Sequence, residues 1–232
     1  MRVFAISDLH LSINSAKPMD IFGPVWTDYL DAIDRSFKEN NITDDDLVLI
    51  PGDISWAMHM SDAIADLDYI SHWPGKKVLL RGNHDYWWKS ISALRAVLPH
   101  NMYAIQNDAI KFGDTIICGT RGWTVPDSTH KTDADKKIYD REVIRLELSL
   151  KDALRQQQNN EDIIVIMHYP PFNIFHADSP FTNLIEKYGV KKVVFGHLHS
   201  YDHRQALVYE KNGVTYYLTS CDLIQNKLVQ IK

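Results

Sequence analysis

Seven side chains in the 232-residue chain have the types and spacing of a metal site: Asp8, His10, Asp53, Asn83, His168, His197 and His199. Asp8-Leu9-His10 and His197-Leu198-His199 each offer two donors with one residue between them. Imidazole nitrogens mixed with carboxylate oxygens suit Mn, Fe or Zn better than Ca or Mg, which prefer oxygen-only shells. Two such ions side by side would attract phosphate and offset the charge that develops as a phosphate ester is cleaved.

Taken singly, each residue has an ordinary explanation, since an Asp or Asn after a strand usually caps a turn. Their shared position argues for more. Apolar runs at 3–6, 47–50, 78–80, 116–118, 163–167 and 193–195 read as buried strands. Asp8 and His10 follow the first, Asp53 the second, Asn83-His84-Asp85 the third, His168 the fifth and His197-Leu198-His199 the sixth. Loops beyond the carboxyl ends of such strands converge, so all the candidates are expected at one sheet edge.

Between these runs lie helical spacings at 26–37 (Trp26, Leu30, Ile33, Phe37), 64–70 and 134–157 (Ile138, Val143, Leu146, Leu150, Leu154). Alternating strands and helices predict an α/β fold. After His199, segments 206–210 and 214–219 flank Asn212-Gly213, a hairpin signal, and 227–231 offers a further strand. The C-terminal part is therefore expected to be antiparallel. Segment 156–160 reads as a polar loop, and with no repeat or linker visible, residues 1–232 are predicted to form one domain.

A chain that is 45% hydrophobic and 24% charged falls outside the disordered, fibrous and membrane classes. No run reaches the roughly 18 apolar residues of a membrane span, and Asp8 interrupts the N-terminal run too early for a signal peptide, so a cytoplasmic location is expected. Cys118 and Cys221 lie in strand-like stretches and read as buried free thiols. The net charge of −5 argues against extended nucleic-acid binding. Lys76-Lys77, Lys136-Lys137 and Lys191-Lys192 read as separate solvated pairs.

The ordered set Asp8-Leu9-His10, Gly52-Asp53, Gly82-Asn83-His84-Asp85, His168 and Gly196-His197-Leu198-His199 resembles the calcineurin-like metallophosphoesterase superfamily from the first strand to about residue 199. The resemblance implies a four-layer α/β/β/α sandwich with mixed sheets. It implies two divalent or trivalent metal ions, one held by Asp8, His10 and His199, the other by Asn83, His168 and His197, with Asp53 bridging them. It further implies in-line attack of a metal-bridging hydroxide on a phosphate ester, with His84 facing the scissile phosphate. The little chain length left for a separate recognition domain points to a small phosphomonoester or phosphodiester, such as a nucleotide. Asp85 could orient the His84 loop through hydrogen bonds, with a capping role ahead of Tyr86-Trp87-Trp88 as the near-equal alternative.

Several branches of the superfamily, the protein phosphatases among them, carry an acid three residues after the Gly-Asp aspartate; this chain has Trp56 there. Arg121 follows a strand lying between two ligand-bearing strands and could bind phosphate bidentately, with a surface salt bridge as the equal alternative. Trp56, Trp87, Trp88 and Trp123 could stack on a base, although packing is the stronger expectation. His59 and His176 receive no role. A nuclease, or a non-catalytic interaction module on the same fold, are the competing functions.

Overall fold

The computed structural model describes residues 1–14, 17–128, 132–199 and 206–232. Among the described residues, eleven strands form two sheets. The first sheet takes β1 (Val3–Ala5), β2 (Leu47–Pro51), β3 (Lys76–Leu80), β4 (Met102–Ala104) and β11 (Val229–Gln230), in the order β11-β1-β2-β3-β4. The second takes β5 (Ala109–Phe112), β6 (Thr115–Thr120), β7 (Asp162–Met167), β8 (Lys192–Phe195), β9 (Val208–Lys211) and β10 (Val214–Leu218), in the order β5-β6-β7-β8-β10-β9. β1 to β4 are parallel, as are β6, β7, β8 and β10; β11, β5 and β9 pair antiparallel at the edges. Both sheets are mixed.

The two-residue period of a strand sorts side chains between two environments. Val3, Ala5, Leu47, Leu49, Val78 and Leu80 meet Ile117, Ile164, Ile166 and Val194 between the sheets. Their neighbours Phe4, Ile6, Val48, Ile50 and Leu79 face outward into a cluster with Ile33 and Phe37 of α1 (Tyr29–Glu39) and Leu67 and Ile70 of α2 (Met60–Ser71). Across the molecule, Ile116, Cys118, Val165, Met167, Val193 and Phe195 pack with Leu146 and Leu150 of α4 (Asp133–Gln156) and Phe181 and Ile185 of α5 (Pro180–Lys187). Strands buried on both faces explain why their sequences run continuously apolar. The result is the four-layer α/β/β/α sandwich.

Some expectations are corrected. The hairpin at Asn212-Gly213 is present, with both residues at positive φ (53° and 75°) as its turn requires. Yet β10 also pairs parallel with β8, so the C-terminal part is not simply antiparallel. Lys77 is fully buried rather than solvated. Its ammonium donates to the carbonyls of Trp73 (2.6 Å), Gly75 (2.9 Å) and Ser71 (3.3 Å), near the carboxyl end of α2 where the helix dipole favours a cation. The buried stripe of α4 runs through Tyr139, Glu142, Leu146, Ser149, Leu150 and Ala153, while Leu154 is exposed. The short helix α3 (Ile91–Arg95), β4, β5 and α5 had no sequence-based expectation. Both cysteines are free and buried, and among the described residues no helix is long and apolar enough to cross a membrane.

Candidate metal centre

Each predicted ligand stands where a parallel strand gives way to a loop, and the local backbone is unusual. Asp8, His10, Asp53 and His197 adopt positive φ (58°, 47°, 49° and 71°), a conformation that costs free energy in non-glycine residues and concentrates at functional sites. The adjoining glycines have a steric reason. A Cβ on Gly82 would lie 2.1 Å from Asp53 Oδ1, one on Gly196 2.3 Å from Asp8 Oδ2, and one on Gly52 2.6 Å from His168 Nδ1. The Gly-Asp, Gly-Asn-His-Asp and Gly-His-Leu-His motifs are therefore close-approach motifs that also carry candidate donors.

Two groups of donors result: Asp8, His10 and His199, and Asp53, His168 and His197, each with its donor atoms within 4.8 Å of one another. In the first, the Nε2 atoms of His10 and His199 are 3.4 Å apart, and His199 Nε2 is 3.5 Å from Asp8 Oδ1. In the second, His168 Nε2 lies 3.2 Å from His197 Nδ1, 2.7 Å from Asn83 Oδ1 and 3.4 Å from Asp53 Oδ2. The same Asp53 oxygen is 3.9 Å from His10 Nε2. Imidazole nitrogens converging in pairs beside carboxylate oxygens fit metal ligation.

Neighbouring groups hold these donors in place. His168 Nδ1 donates to the Pro51 carbonyl at 3.1 Å, which leaves Nε2 free to face the centre. Asp8 Oδ2 accepts from Ser7 Oγ (2.6 Å), Ser220 Oγ (2.9 Å) and the His197 amide (3.0 Å). Asp53 Oδ1 accepts from the His84 amide at 2.8 Å. His199 Nδ1 lies 3.0 Å from Asp222 Oδ1, a carboxylate–histidine pair outside the ligand set. Tyr169 covers His197, with ring centroids 4.0 Å apart.

Charge reinforces the arrangement. Burial raises Asp8, but His199, His168 and His10 outweigh it and hold the carboxyl well below its usual range. Asp53 is lowered too, as His168 overcomes burial. Burial brings His10 and His197 down to about 4, so both are neutral and ready to ligate at neutral pH. For His199, the hydrogen bonds to Asp222 and Asp8 overcome burial and bring it up to about 10.

His84 lies beside the first group. Its ring centroid is 5.7 Å from that of His10 and 4.6 Å from that of Trp56, which in turn stacks on His10 at 4.6 Å. Asp85 is fully buried, and its carboxylate accepts from the amides of Ile54 (2.9 Å), Ser55 (3.2 Å) and Gly82 (2.7 Å) and from Trp87 Nε1 (3.1 Å). Burial and Asp53 raise it to about 6. Its contacts join the Asp53 loop to the His84 loop, so it positions them and does not face the donors.

Arg121 turns away from the donors. Its guanidinium lies over Trp123 (5.0 Å) and 3.9 Å from Glu142 Oε1. Trp87 and Trp88 are fully buried, which supports packing for both. His59 precedes α2, and His176 stacks on Tyr209 at 4.6 Å; neither joins the metal groups. Sequence reasoning missed Asp222 and Ser220, and read Tyr169, with Pro170 and Pro171, only as stiffening the loop after His168.

A family-wide sequence pattern for calcineurin-like phosphoesterases matches residues 1–201. The chain belongs to this family. Membership makes it a metal-dependent phosphoesterase and implies two divalent metal ions. A search of curated protein sequences found no match. Similar solved structures include a Thermus thermophilus protein, TT1561 (TM-score 0.59, 12% identity, 99% of this chain and 97% of the other). A phosphopantetheinyl hydrolase of Mycobacterium tuberculosis aligns with TM-score 0.56 and 13% identity over 99% and 95%. A protein of unknown function from Aquifex aeolicus aligns with TM-score 0.50 and 12% identity over the same shares. At these identities the likeness concerns the fold alone.

Proposed function

We propose that this phosphoesterase hydrolyses small phosphorylated molecules, phosphomonoesters or phosphodiesters, nucleotides among them. The observation that carries the reading is Asp53 Oδ2, which faces His10 Nε2 at 3.9 Å and His168 Nε2 at 3.4 Å and so stands between the two donor groups. Asp8, His10 and His199 would hold one ion, Asn83, His168 and His197 the other, and Asp53 both; Mn, Fe and Zn fit this donor chemistry. When bound, the pair supplies an activated water and neutralises phosphoryl charge during in-line displacement.

The remaining chemistry falls to the protein. His84, anchored through its amide to Asp53 and braced by Trp56, presents an imidazole that can donate a proton to the departing ester oxygen. Trp56 takes the place of the acid found in other branches, so contact rather than a carboxylate orients His84 in this chain. Asp85 keeps the loops of Asp53 and His84 in register. Residues 1–232 act as one catalytic domain, since Ser220 and Asp222 brace Asp8 and His199 from the far end of the chain. Free buried thiols suit the reducing cytoplasm.

The test is hydrolysis of p-nitrophenyl phosphate and bis(p-nitrophenyl) phosphate by the Mn-loaded chain, with metal content measured in parallel. Asp53→Asn is expected to lower activity by on the order of 100-fold or more and to reduce bound metal. Undiminished activity would overturn the bridging role.

A further inference from the structure

A cavity of about 180 Å³ has a wall rich in arginine: Arg81, Arg121, Arg141 and Arg145, with Glu142 and Thr120. Arg81 follows β3 immediately before Gly82-Asn83. Arg121 follows β6, and its backbone oxygen accepts from the amides of His168 (3.1 Å) and Tyr169 (2.9 Å). Arg141 and Arg145 project from α4 one turn apart. The cavity therefore backs onto the loops that carry Asn83 and His168.

The charges in this wall do not balance. Glu142, fully buried, accepts from Thr120 Oγ1 and Arg145 Nη1, both at 2.6 Å, and lies 3.9 Å from Arg121 Nη2. Four guanidinium groups set against that one carboxylate leave three positive charges in excess. Among the described residues, neither Arg81 nor Arg141 has a carboxylate within ion-pair distance; Arg81 Nε donates to the Asp85 carbonyl at 3.3 Å, and the carboxylates of Asp85 and Glu142 act on it from further off. Arg121 Nε is buried with no acceptor. A buried donor on a charged group is rarely left unpaired, because stripping it of water without a replacement is costly. The cavity far exceeds the roughly 10–15 Å³ that one water needs on the same measure. Guanidinium forks match the oxygens of phosphate.

We propose that Arg81, Arg121, Arg141 and Arg145 form a second anion site that receives a further phosphate of the substrate, making the natural substrate a phosphate ester that carries a second phosphate group. The word substrate rests on the hydrolase reading of the metal centre; the anion site does not. Glu142 holds Arg121 and Arg145 in place, and Arg141, at the exposed end, admits the ligand.

Calorimetric titration of the metal-loaded full chain with inorganic phosphate should resolve two binding events. In Arg141→Gln, which breaks no ion pair, and in Arg81→Gln/Arg141→Gln, one event should weaken at least about tenfold while the other persists. A single event in the wild type, or two events unchanged in both variants, overturns the site. In kinetics, kcat/KM for adenosine 3′,5′-bisphosphate relative to p-nitrophenyl phosphate should fall at least about tenfold in the double variant, with circular dichroism confirming its fold. An unchanged ratio rejects the second-phosphate role. If the wild type cleaves neither compound nor bis(p-nitrophenyl) phosphate, the hydrolase reading fails, while the phosphate titration still decides the arginine site.

Discussion

Asp222→Asn removes a charge from beside the proposed metal centre without replacing any of its proposed ligands. Asp222 Oδ1 lies 3.0 Å from His199 Nδ1, and that contact leaves Nε2 to face Asp8 and His10. Asparagine keeps the shape but gives up a charge-assisted bond of about 1.5–3 kcal/mol, equivalent to roughly 10–100-fold in metal affinity at the Asp8–His10–His199 group. The proton on His199 makes the prediction sharper. In the metal-free protein its folded value of about 10 exceeds the unfolded value, so the stability it contributes is fully present below about pH 6.5 and disappears as pH rises toward 10. Metal must displace that proton, so wild-type affinity at this group should climb about tenfold per pH unit across pH 7–9. In the variant His199 retains Asp8 alone, and the climb should flatten inside that window. The assay is competition with a calibrated chelator at each pH, alongside denaturant unfolding of the metal-free proteins, whose stability gap should narrow from pH 6 to 9. Matching pH profiles and matching affinities in the two proteins would refute the claim that Asp222 tunes His199.

His84→Ala should lower kcat by about 10²–10⁴-fold on p-nitrophenyl phosphate while metal content stays near that of the wild type; loss of both metals would show that His84 supports the ligands instead. Gly82→Ala would place a Cβ 2.1 Å from Asp53 Oδ1 and 2.2 Å from its amide nitrogen. A destabilisation of about 1–3 kcal/mol is expected, read as a lower Tm at about 2–4 °C per kcal/mol, together with reduced metal content. An unshifted Tm with full metal content would mean that the two loops are not in register contact.

Much of the fold and of the candidate site was legible because one physical rule covers both. Strands buried on two faces must run apolar, so β1, β2, β3, β6, β7 and β8 stand out, and the polar residues that end them stand out with them. Elements without that contrast escaped. β5 is partly exposed along most of its length, and α5 spans eight residues, defined by the capping box of Ser179 and Thr182 and by Pro180 at its start rather than by a long apolar period. Lys77 read as solvated because its type is nearly always exposed; no local signal announces that three carbonyls gather around its ammonium.

The omission of Asp222 has a more specific cause. The Asn212-Gly213 hairpin is a strong local signal for β9 and β10, and it directs attention to the antiparallel pairing it creates. The register of β10 against β8, Thr215 opposite Lys192 through Leu218 opposite Phe195, is parallel, and nothing in the local sequence specifies it. Once β10 is parallel, its carboxyl end must lie at the same sheet edge as those of β6, β7 and β8. The polar run Thr219-Ser220-Cys221-Asp222 then belongs with the other strand-ending loops. The rule that located His168 and His197 applies to Ser220 and Asp222 unchanged, and their contacts with Asp8 and His199 follow from it. Long-range pairing thus decided which loops the rule could reach. The arginine cavity makes the same point, for Arg81 and Arg121 meet Arg141, Glu142 and Arg145 only where α4 packs across the strands that carry the first two.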